Sequence, residues 1–74
     1  MHLGSCPVDE DVEVVEVDVP SGTRLRLHEV GIRVGTTVRV SQRAPFGGRV
    51  VAVGASRLAV DRATAGRIAV RPLP

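Results

Sequence analysis

Valines and polar residues alternate along most of this chain, and the phase of that alternation marks out its elements. Residues 9–19 interleave acids with Val12, Val14, Val15, Val17 and Val19. The alternation breaks once, between Val14 and Val15, where a bulge would restore the phase of a curved strand. A second strand is expected over 36–43, with Val38 and Val40 on one face and Arg39, Ser41 and Arg43 outward. Further strands are expected at 49–53, 57–60 and 67–71, the last stopped by Pro72-Leu73-Pro74. Between the first two strands the period lengthens. Leu27 and Val30 stand three apart and share a helix face, so Thr23 to Val30 is read as about two turns of helix.

The punctuation agrees with this reading. Ser21 sits where an N-cap hydroxyl would accept from an early backbone N–H. Gly31 follows where a helix exit favours positive φ, with Ile32 next to fold back on the last turn, and Gly35 opens a second turn. Residues 44–48 (Ala-Pro-Phe-Gly-Gly) and 54–56 (Gly-Ala-Ser) read as turns. Residues 61–66 read as one helical turn with Asp61 as cap. Residues 1–8 show no period and are expected to be a loose leader, leaving 9–74 as one domain. Five short strands with frequent turns imply a small antiparallel barrel, a mainly β fold that buries its strand edges by closing.

The order of residues also resembles the FeoA domain family. Arg26, Leu27, Glu29, Val30, Gly31, Ile32, Gly35, Val38 and Val40 follow that family's spacing without a gap, and Ala44-Pro45 and Ala65, Ile68 and Val70 continue it. The resemblance covers roughly residues 12–71. It departs at the acidic run Asp9-Glu10-Asp11, at Val60-Asp61 and at Thr64-Ala65. It implies a five-stranded SH3-like barrel with one short helix between strands one and two and a helical turn before the last strand. It also implies a small cytosolic accessory of bacterial ferrous iron uptake, acting on the FeoB membrane transporter. The same domain forms the C-terminal part of DtxR-type repressors. A 74-residue chain that starts with Met and lacks a helix-turn-helix points to the free-standing form.

Composition narrows the function classes. A single cysteine excludes an internal disulfide and suits a reducing compartment, and no apolar run approaches the roughly 20 residues of a membrane span. Charge is segregated: residues 9–18 hold six carboxylates and no cation, while 24–71 hold all ten arginines against Glu29 and Asp61. Ser5, Ser21, Ser41 and Ser56 have no histidine near them in sequence, the acids line one strand, and no glycine pattern matches a phosphate loop. An enzyme is not expected, nor a cofactor. His2 and Cys6 have chelating spacing, but two ligands fall short of a zinc site, and His28 with Glu29 points apart on a helix. No metal site is assigned, with His2 and Cys6 the nearest to one.

Arginines on a small barrel raise nucleic-acid binding as the alternative function. Single-strand readers, however, stack bases on aromatics, and here Phe46 stands alone. The residues therefore point to a protein-interaction module. Its contacts are expected at Arg24, Arg26, His28, Glu29 and Arg33 on the helix and its exit, with Pro45 and Phe46 in the glycine turn. Phe46 has two readings, a plug tucked under the barrel or an exposed anchor. An exposed edge strand could also pair two copies of the chain.

Overall fold

The computed structural model describes residues 1–73 as a single five-stranded antiparallel sheet with two short helices. The elements run β1 (Asp11–Val17), α1 (Ser21–Glu29), β2 (Thr37–Arg43), a 3-10 turn at Pro45–Gly47, β3 (Arg49–Val53), β4 (Ser56–Val60), α2 (Arg62–Ala65) and β5 (Ile68–Pro72). The strand order is β4-β3-β2-β1-β5. The mainly β, SH3-like class follows, with α1 between the first two strands and a helical turn before the last.

Two bulges curl the sheet. The β1–β5 register shifts between Val14 and Glu16, so Val15 is the extra residue and turns outward, as the broken alternation predicts. A second shift, between Val40 and Gln42, makes Ser41 the extra residue of β2, and its hydroxyl donates to the Val50 carbonyl at 3.2 Å. The curled sheet wraps a core in which Val12, Val14, Val38, Val40, Val51, Ile32 and Ile68 are almost wholly buried.

The sheet does not close as the barrel reading expects. β4 and β5 form its two edges, joined through α2 and without mutual pairing. The β5 edge is sealed instead by the first residues of the chain. His2 bridges to Ala69, the Leu3 amide donates to Ile68 O at 3.0 Å, and the Val70 amide donates to Met1 O at 2.8 Å. Leu3 is 0% exposed and Cys6 is buried too, so the stretch expected to be a loose leader forms part of the core. Eight residues whose apolar members, Met1, Leu3, Cys6 and Val8, are irregularly spaced carry no period. Their place is decided by a free sheet edge far along the chain.

The helix starts one residue earlier than its hydroxyl suggests. Pro20 is the N-cap, Ser21 is the first helical residue, and no side chain caps the end. Its exit matches the sequence reading closely. Gly31 N–H donates to His28 O at 3.0 Å and Ile32 N–H to Leu27 O at 2.9 Å, the paired bonds of a Schellman motif. Gly31 takes φ 100° there, and Ile32 and Leu27 are buried together. Gly35 has φ 91° in the turn into β2. The Leu27–Val30 face is narrower than expected, with Leu27 buried and Val30 partly so.

Asp61 caps α2 as expected, accepting from the Thr64 amide at 2.7 Å. That bond holds its carboxyl below the ordinary value of 3.8. A carboxyl lowered in the folded state stabilises above its unfolded pKa, and the contribution disappears as pH falls through the folded value. Asp61→Ala is therefore expected to lower the melting temperature slightly at neutral pH. In melts repeated at pH well below 3.8 the difference from the parent chain should vanish.

Candidate functional site

The charge segregation of the sequence is partly undone by strand pairing. β1 sits between β2 and β5, which places arginines directly across from its acids. Arg39 pairs with Asp11 at 2.9 Å, Arg71 with Glu13 at 2.6 Å and Arg67 with Asp18 at 3.4 Å. These pairs add little stability, but they offset three of the six carboxylates of residues 9–18. Among the described residues no ion pair engages Arg24, Arg26 or Arg33, so α1 and its exit are left cationic.

Those arginines frame apolar surface. Between the β1 bulge and α1 runs an open groove of about 650 Å³, bordered by Val15, Val34, Arg24, His28 and Arg33. Leu25 lies beside it, 62% exposed, and Val34 is 66% exposed. Arg24 donates to Val17 O at 3.2 Å and Arg33 to His28 O at 3.2 Å, which pins both side chains to the backbone without using up their charge. Arg26 faces another groove, shared with β4, and Glu29 is exposed. The sequence reading passed over Val15, Leu25 and Val34. Leu25 could have been found, since it stands two residues from buried Leu27 and therefore on the far side of the helix.

Phe46 settles between its two readings as an exposed side chain, 98% open to solvent. It sits in the middle of the 3-10 turn with φ 61° and ψ 28°, a left-handed conformation uncommon for a bulky residue. The turn is held at both ends. Ala44 N–H donates to Gly48 O at 2.9 Å, and the Arg49 guanidinium donates to the carbonyls of Gly47 and Gly48 at 3.0 and 2.9 Å. The other arm of Arg49 reaches Gly4 O at 2.5 Å, tying the turn to the N-terminal segment. Pro45 stiffens the approach. Phe46 does not border any of the three grooves that residues of α1 line.

The chelating pair is divided by the fold. Cys6 is buried, with its thiol pushed up by desolvation and drawn back in part by the Arg49 charge, while His2 is exposed. Among the described residues no group of three or more His, Cys, Asp or Glu side chains could hold a metal ion. Among them, too, no helix is long and apolar enough to cross a membrane.

Solved structures share this architecture. FeoA from Chlorobium tepidum is 28% identical, with a TM-score of 0.91 over 100% of this chain and 71% of that one. FeoA from Stenotrophomonas maltophilia, solved with zinc, is 32% identical, with a TM-score of 0.78 over 95% of this chain and 88% of that one. The metal-dependent transcriptional regulator MtsR, at 14% identity and TM-score 0.81, shares the fold alone, with 34% of its length matched by 99% of this chain. No curated protein sequence matches significantly. The FeoA domain model matches residues 1–72, which takes in the N-terminal segment that the sequence motifs left out, and the chain belongs to the FeoA domain family.

Proposed function

We propose that this protein is a small cytosolic accessory of ferrous iron uptake that docks on the cytosolic part of a FeoB-type transporter. The observation that carries the reading is Phe46, fully exposed on a turn whose strained backbone is fastened at both ends. A backbone conformation that costs about 1–3 kcal/mol persists only where its surroundings impose it, and such positions concentrate at ligand clamps. An aromatic side chain with a stiff base and little entropy left to lose has the character of an interface hot spot. The unpaired arginines and exposed valines and leucine of α1 and its exit supply a second contact, with Arg24, Arg26, His28, Glu29 and Arg33 as its polar members. The S. maltophilia relative has been put forward as a bacterial ferrous iron transport activating factor, which agrees with such a role. Docking would influence uptake by favouring one state of the transporter, since coupling requires different affinity for two partner states.

Calorimetric titration with the cytosolic domain of FeoB from the same organism, with and without nucleotide, tests this. Binding that depends on nucleotide is expected. Phe46→Gly should weaken binding by about 2 kcal/mol, roughly thirtyfold. The same variant relieves the left-handed strain, so its unfolding midpoint should stay level or rise. Equal binding by Phe46→Gly and Arg26→Ala would remove both patches from the interface. Absence of FeoB binding beside salt-sensitive RNA binding would favour a nucleic-acid role.

A further inference from the structure

The two edges of the sheet are treated differently. β5 is covered by residues 1–3, whereas among the described residues no strand pairs with the outer side of β4, where a groove separates it from α1. The β3–β4 hairpin has a two-residue loop, Gly54-Ala55, and Val53 faces Ser56. That makes Val53–Ser56, Val51–Leu58 and Arg49–Val60 the hydrogen-bonded pairs. Arg57 and Ala59 fall at the alternate positions, with N–H and C=O directed away from β3. Among the described residues no other backbone or side-chain group takes up these four groups. Both residues are exposed, and the edge carries neither proline nor bulge to block pairing.

We infer that β4 is a self-pairing edge, joining a second copy of this chain antiparallel about a two-fold axis at Leu58. The sequence of β4 is complementary to itself in that register. Arg57 would meet Ala59 of the second copy in a hydrogen-bonded pair, twice over, so all four free backbone groups are satisfied. Large and small side chains face each other on the outer surface, and no arginine lies directly opposite an arginine. Diagonally, Arg57 has Asp61 of the second copy on one side and Arg57 of the second copy on the other, an attraction set against a repulsion, which keeps the charge contribution of the wild-type pairing small. On the inner surface the two Leu58 side chains meet beside a groove of about 190 Å³ bordered by Leu27, Leu58 and Val60. Two five-residue strands bury far less than a permanent dimer requires, so the association is weak and reversible.

The test uses the full chain from micromolar to millimolar concentration, by sedimentation equilibrium and by amide shifts. Concentration-dependent association is expected, with the largest shifts at Arg57 and Ala59. Ala59→Glu places a carboxylate opposite Arg57 of the second copy and should tighten association roughly two- to thirtyfold, from two symmetry-related cross-strand pairs. Ala59→Lys opposes like charges and should weaken it by a similar factor. Position 59 is exposed, so both variants should keep the parent fold, which their spectra would verify. A wild-type chain that stays monomeric at millimolar concentration overturns the inference. So does association that both Ala59 variants leave unchanged, since another surface would then be responsible.

Discussion

Leu3→Ala is expected to cost about 2–5 kcal/mol of unfolding free energy, the usual range for removing a fully buried leucine. Leu3 is 0% exposed and lies against the core from the edge beyond β5. A domain of 74 residues has a total stability of about 4–11 kcal/mol, so the variant stands to lose a large share of it. Denaturant unfolding would show the loss as a lower midpoint with little change in slope. Hydrogen exchange would add a local signature. The Val70 amide, which donates to Met1 O, should exchange faster than the amides of β2 and β3. An unchanged midpoint would mean that the N-terminal segment is a passenger, as its sequence alone suggests.

Arg49→Met is the second large effect, with a loss of about 2–3 kcal/mol and a fall in melting temperature of roughly 10–20 °C. The guanidinium gathers three carbonyls, those of Gly47, Gly48 and Gly4, from two segments more than forty positions apart in the chain. Methionine keeps the stem and loses the fork. Arg49 Nε is buried without a partner, which offsets part of the gain and keeps the figure below a full sum of three charged hydrogen bonds. Lysine should rescue little, because one ammonium cannot span the same three oxygens. The Phe46 turn would loosen as well. Affinity for the proposed transporter partner should therefore fall along with stability, whereas Phe46→Gly separates the two.

The helix exit shows how far local rules reach. Leu27, Gly31 and Ile32 specify a Schellman motif within six consecutive positions, and the structure forms both of its bonds. The β1 bulge was legible for the same reason, since one misplaced valine breaks a period of two. The Asp61 cap needs only its neighbour Thr64. Ser21 failed as a cap because Pro20, at φ −57° and ψ 152°, already supplies the extended residue that begins the helix.

Everything that depended on a distant partner was undecided until the chain folded. The acids of β1 read as a charged face, yet register places Arg39 and Arg71 across from Asp11 and Glu13, and that pairing spans 28 and 58 residues. Phe46 could have been plug or anchor, and the hold of Arg49 on the turn decides that it points outward. By itself the sequence determined the strands, the helix and its exit, because alternation, spacing and glycine act within a few residues. Only the tertiary structure decided which edge of the sheet is sealed by the first residues of the chain and which is not. That choice belongs to hydrogen-bonding groups on β4 and β5, and the N-terminal residues that seal one of them sit more than sixty positions away along the chain.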